Sequence, residues 1–124
     1  MAPSIVEDFS YPGRDQILAE RGLKLKSGDG NILYVDCDVE GDKIIVESYE
    51  FADYVCFQLR GDHGYLSLEI ARTTYLYSEN QPLDATLQIA GQDELQQKHV
   101  PENYWTGVGE AENLPSATLL EIRA

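Results

Sequence analysis

The chain has 124 residues, enough for one domain that buries its own core without help from a metal or a crosslink. With 43% hydrophobic and 25% charged residues it is a folded domain, not a disordered chain. Its 22 acidic residues stand against 9 Lys plus Arg, a net charge of −13, which disfavours both nucleic acid and an anionic membrane surface as partners.

Along the chain, short β-rich runs recur about every 8–12 residues, each closed by a turn signal. Residues 1–13, with Pro3, Pro12 and Gly13, read as an extended arm whose Ile5, Val6, Phe9 and Tyr11 can pack on the body. Residues 14–124 read as a single domain. The stretch 15–21 is the one helix candidate, with Asp15 as its cap and Gly22 as its stop. Leu23–Lys26 alternates, Ser27–Gly30 is a turn, and Ile32–Cys37 is the next run, which together predict a hairpin. A turn at Asp38–Asp42 leads into Lys43–Ser48. The run Tyr54–Leu59, the Gly61-Asp-His-Gly64 turn and Tyr65–Ile70 extend this into a meander of consecutive strands.

The segment from Tyr65 to Tyr77 is long, and Arg72 marks a bulge or a strand that changes sheets. Ala85–Ala90 and Glu94–Val100 flank Gly91 and form another hairpin, which Pro101 ends because it has no N–H to give a ladder. Trp105–Val108 is short. Ala117–Arg123 is strongly apolar and belongs in the middle of a sheet. Leu66, Leu68 and Ile70 alternate with Tyr65, Ser67 and Glu69, so one face is buried and the other wet. The expected fold is all-β, an antiparallel two-sheet sandwich of eight or nine strands, Ig-like or jelly-roll-like, with at most one short helix.

No stretch of 18 apolar residues occurs, so no membrane-spanning helix is expected. The opening Met-Ala-Pro-Ser lacks the basic leader and apolar core of a signal peptide. Cys37 and Cys56, the two cysteines, lie in neighbouring β runs. They are either a disulfide or two buried thiols acting as small apolar residues.

Catalytic motifs are missing from the chain: there is no nucleophile elbow, zinc-protease helix, P-loop or dinucleotide fingerprint. His63 and His99 read as surface residues. Asp29, Asn31, Asp36, Asp38 and Asp42 crowd two turns and are the candidate calcium ligands. Calcium takes six to eight oxygens, but the same residues are also what turns require. Tyr75 and Tyr77 share a strand face with Thr73, and Tyr104 and Trp105 follow in a loop-to-strand region. These four aromatics are the candidate ligand-binding residues, because a pyranose ring stacks its C–H face on a flat π surface. The competing reading makes the tyrosines strand formers and the lone Trp a core residue.

The segments Val100-Pro-Glu-Asn-Tyr-Trp-Thr-Gly-Val-Gly-Glu110, Pro115–Arg123 and Gly28-Asp-Gly-Asn-Ile-Leu-Tyr-Val-Asp-Cys37 resemble small uncharacterised secreted proteins of actinobacterial type. The resemblance covers under a third of the chain and carries over no catalytic residue. It implies an exported β-sandwich and favours a Cys37–Cys56 bridge, hence an extracellular location. The function expected from all of this is a non-enzymatic binding module for a carbohydrate or a protein, with no cofactor unless calcium. The alternative is an acidic inhibitor or immunity-type protein that binds a basic enzyme.

Overall fold

A computed structural model describes residues 10–124; Ile5, Val6 and Phe9 of the expected arm lie outside the described residues. The protein is all-β, with nine antiparallel strands and one short α-helix, α1 (Arg14–Arg21). The strands are β1 (Lys24–Gly28), β2 (Ile32–Val35), β3 (Lys43–Ser48), β4 (Val55–Leu59) and β5 (Tyr65–Ser78). They continue as β6 (Leu83–Ile89), β7 (Gln96–Val100), β8 (Thr106–Gly107) and β9 (Ala117–Arg123).

α1 stops as expected at Gly22, whose φ of 70° suits a residue without Cβ and whose N–H reaches the Leu18 carbonyl at 2.9 Å. Its start differs: Gly13, not Asp15, is the cap, and Asp15 sits in the first turn, where a carboxylate favours the positive end of the helix dipole. Before the helix, the Tyr11 N–H donates to the Lys26 carbonyl at 3.0 Å, and the Tyr34 N–H donates to the Tyr11 hydroxyl oxygen at 2.7 Å. Burial pushes the Tyr11 hydroxyl pKa up.

One ladder joins the strands in the order β2-β4-β3-β5-β9-β6-β7, with β1 and β8 also paired to β5. The two sheets expected of a sandwich are therefore one in hydrogen bonding, and β5 is the strand they share. The first part of β5 pairs with β1 and β9, and the second part with β3 and β8. The change occurs around Arg72, at φ 52°: the register against β9 shifts between Ile70 and Thr73, and the register against β3 shifts just after, between Thr73 and Tyr75. One extra residue at this point bends the strand, as a bulge does. The bulge frees backbone groups, and local donors meet them: Ser48 Oγ donates to the Ala71 carbonyl at 2.6 Å and Tyr49 N–H to the Arg72 carbonyl at 3.1 Å.

Three pairings of the expected meander do not form: β1 with β2, β2 with β3, and β4 with β5. β1 pairs with β5 rather than with β2, setting buried Leu25 opposite buried Leu68. β2 skips β3 and pairs with β4, and β4 pairs with β3 but not with β5. Glycines mark the turns after β1, β2 and β4. However, β2 and β3 both run antiparallel to β4, and β4 and β5 both run antiparallel to β3, so the turns after β2 and β4 carry the chain to a strand of the same direction instead of closing hairpins. A turn does not choose the partner. Burial does, because a strand must carry its apolar face onto the core. The β6–β7 hairpin forms, and β9 lies between β5 and β6, as its apolar run predicts.

Both parts of the ladder bury one face in a single cluster. Val46, Val55, Phe57 and Leu76 come from the part built on β3, and Leu68, Leu87, Leu119 and Ile122 from the part built on β9. Each such side chain contributes about 1.5–3 kcal/mol when fully removed from water.

Candidate ligand-binding face

The opposite face of the β2-β4-β3-β5 part follows from register. Val35 stands opposite Cys56, Cys56 opposite Ile45, and Ile45 opposite Tyr77, so these four side chains share the side turned away from Val46 and Phe57. In the next row Glu47 stands opposite Tyr75, and Tyr75 opposite Gly107 of β8. Trp105, just before β8, swings over this face. Its ring centroid lies 5.0 Å from Tyr77, 5.6 Å from Tyr54 and 6.5 Å from Tyr75. The Tyr77 and Tyr54 planes are both tilted 36° to the indole, and Tyr75 meets it edge-on at 85°.

These rings are wet: Trp105 is 40% exposed, Tyr54 50% and Tyr75 38%. The reading of Trp105 as a core residue is overturned. The buried side of the sheet is filled by aliphatic residues and Phe57, and Val108, not Trp105, is the fully buried side chain near β8. Of the four aromatics expected from sequence, the structure brings Tyr75, Tyr77 and Trp105 together. Tyr104 is 67% exposed and makes none of these ring contacts among the described residues. Thr73, expected on the tyrosine face, is buried beside the bulge and donates its hydroxyl to the Ile70 carbonyl at 2.9 Å.

Tyr54 was not singled out by sequence reasoning, although a signal exists. With Val55 and Phe57 buried, alternation sends Tyr54 and Cys56 to the other face.

Tyr54 also forms a wall of an open cleft of about 480 Å³, with Arg21, Tyr34, Asp36, Asp38 and Asp53 around it. Asp53 and Tyr54 further line a depression on the Glu47 side, next to the aromatic cluster. Tyr54 thus lies between the stacked aromatics and the cleft. Cys37, exposed at the cleft, lies at disulfide distance from buried Cys56 (S–S 2.05 Å, Cα–Cα 5.2 Å). The pair ties the end of edge strand β2, with its flanking Asp36 and Asp38, to β4.

The calcium candidates do not converge. Asp29 and Asn31 precede β2 while Asp36 and Asp38 follow it, and the strand separates Asn31 from Asp36 by about 16 Å at its usual rise. The Asp29 carboxylate accepts the Asn31 N–H at 3.0 Å, closing a turn, and Asp42 accepts the Asn80 side-chain amide at 2.9 Å. Among the described residues no group of three or more His, Cys, Asp or Glu side chains is placed to hold a metal ion. His63 is exposed beside Asp62, and exposed His99 meets Asp84 at 2.9 Å across the β6–β7 hairpin.

Resolved pKa shifts other than that of Tyr11 belong to Arg72 and Glu110, at the bulge. The Arg72 hydrogen bonds hold the Glu110 carboxyl below the usual carboxylate range, and Glu110 in turn raises Arg72. Among the described residues no helix is long and apolar enough to cross a membrane. Compared with known proteins, the chain matches no family model and no curated protein with significant similarity.

Proposed function

We propose that this protein is a non-enzymatic binding module that holds a carbohydrate on the outer face of β3, β4 and β5. The observation that supports this most strongly is the position of Trp105, the one tryptophan of the chain. It lies partly in water yet within ring-contact distance of three tyrosines. Exposing a large apolar ring has a cost, and four rings gathered at one spot are a surface that a ligand covers with gain. Sugar C–H faces suit such rings, and aromatic side chains with few rotatable bonds lose little entropy on binding.

Titration of the intrinsic fluorescence tests this, since one indole reports the whole site. Glycans retained on an array shift the emission of the wild type, and Trp105→Ala removes retention without unfolding the protein. A blank array with unchanged emission defeats the carbohydrate reading.

A second reading has a specific observation behind it: the net charge of −13, with Asp36, Asp38 and Asp53 beside the aromatics. A basic protein docked on the same face would use the rings as anchors and the acids for steering. Its signature is an association rate that falls steeply with salt, which a neutral glycan does not produce. The cysteine pair at disulfide distance is compatible with an extracellular protein, and export to an oxidising compartment forms part of this proposal.

A further inference from the structure

Resting on the carbohydrate reading above, we infer that the Arg21–Asp53 cleft is a second subsite and that the ligand is a neutral oligosaccharide rather than a single sugar. Three observations lead there. The cleft is continuous with the aromatic face through one residue, since Tyr54 lines the cleft and its ring contacts Trp105. Its volume of about 480 Å³ falls within the usual range for small-molecule sites, and a second tyrosine, Tyr34, supplies further apolar wall. Its polar lining is mixed. Asp36, Asp38 and Asp53 offer acceptors, and Arg21, in the last turn of α1, offers donors. None of the ion pairs among the described residues uses Arg21.

A ring of acceptors with a guanidinium that no ion pair occupies among the described residues matches the hydroxyls of a sugar, each of which both donates and accepts. Three carboxylates against one cation leave the lining negative, so a uronate or sulfated sugar is repelled. The exposed face of Trp105, backed by Tyr77 at 5.0 Å, would hold one pyranose by stacking while the cleft reads the hydroxyls of the next units along the chain. Neither half alone gives selectivity: stacking tolerates any sugar with a flat face, and exposed hydrogen bonds to hydroxyls compete with water.

The test uses Trp105 fluorescence and calorimetry with cello-, xylo-, manno- and N-acetylchito-oligosaccharides of one to six units, and galacturonate oligomers as the acidic arm. We expect affinity to rise at least about tenfold between the shortest and longest members of the preferred neutral series. Arg21→Gln and Asp53→Asn, both surface changes, should each erase most of that rise. Asp93→Asn with Glu94→Gln, at the distant β6–β7 turn, should leave it intact.

A rise that survives both cleft variants overturns this inference and leaves the stacking face standing. Galacturonate bound as tightly as the neutral series overturns the charge argument and with it the neutral assignment. No change in fluorescence with any member overturns the carbohydrate reading itself.

Discussion

The guanidinium of Arg72 meets the carboxylate of Glu110 through two hydrogen bonds, 3.1 and 2.7 Å long, at the residue where β5 passes from one part of the ladder to the other. The same guanidinium stacks over the Tyr49 ring at 4.8 Å. A side chain in left-handed backbone is thus pinned from two sides. One anchor is the loop after β3 and the other is the 3-10 helix (Gly109–Glu112) that follows β8. The segment carrying Trp105 leads into that helix, so the bulge and the aromatic face share a frame.

Acid should loosen this pin. Hydrogen bonding to Arg72 lowers the Glu110 pKa below its ordinary value of 4.5 in the folded state. A lowered carboxylate pKa stabilises the fold in full above the unfolded value and loses that contribution as pH falls through the folded one. Glu110→Gln should therefore melt at a lower temperature than the wild type at neutral pH. The gap should close as pH drops below the carboxylate range. Thermal melts at a series of pH values check this, and a gap that persists unchanged in acid would place the effect in packing instead.

Removing the Cys37–Cys56 bridge should cost about 3 kcal/mol, from the loop entropy regained by the unfolded chain. The closed segment spans a sequence separation of 19. Urea denaturation of the Cys37→Ser/Cys56→Ser double variant measures the loss. Intact mass after alkylation, with and without reductant, shows whether the wild-type sulfurs are joined: reductant should be needed before the reagent adds twice.

Gly109→Ala should destabilise by about 1–3 kcal/mol, the cost of forcing extra atoms into a packed site. Its φ is +53°, and an added Cβ would lie 2.7 Å from the Ala117 Cβ and 2.8 Å from the Ala117 nitrogen. Because Val108 N–H is bonded to the Thr74 carbonyl at 2.9 Å, the shift should pass back to β8 and change the emission of Trp105. Ala at this position with wild-type melting would show that β9 yields freely there.

Phe57→Ala should cost about 3–5 kcal/mol, since the ring is fully buried and its removal leaves a cavity between the two parts of the ladder. Trp105→Ala, at a partly wet position, should cost far less. Equal losses for the two variants, measured by chemical denaturation, would contradict the division into a buried face and a binding face.

Periodicity made much of this fold legible. Lys43–Ser48 and Ala117–Arg123 are strands with the boundaries read from sequence, and Leu66, Leu68 and Ile70 face inward as alternation requires. Arg72 was recognisable because a polar, long side chain interrupts an otherwise regular run. Pairing was legible only for β3 with β4, for the β6–β7 hairpin and for the central place of β9. Glycine turns announce where a strand ends, and they say the same thing whether β2 joins β1 or β4. That choice depends on contacts between residues far apart in sequence, such as Val35 with Cys56 against Leu25 with Leu68.

The candidate site was half legible. Tyr75 and Tyr77 lie two apart on one strand, so a common face follows at once. Their meeting with Trp105 and Tyr54 depends on β8 pairing with β5 and β4 pairing with β3, which no local pattern encodes. The acidic turns misled in the other direction. Asp29 and Asp36 look adjacent in sequence, but an extended strand between them keeps their carboxylates apart.

Ligand-induced NMR shifts of the Trp105 indole N–H tests the stacking face most directly, with the ring resonances of Tyr54, Tyr75 and Tyr77 as companions and Phe57 as a buried reference. On titration with the best-retained oligosaccharide, the four clustered rings should move together while Phe57 stays fixed. Binding that moves other surface residues and leaves the Trp105 indole where it was would contradict the account.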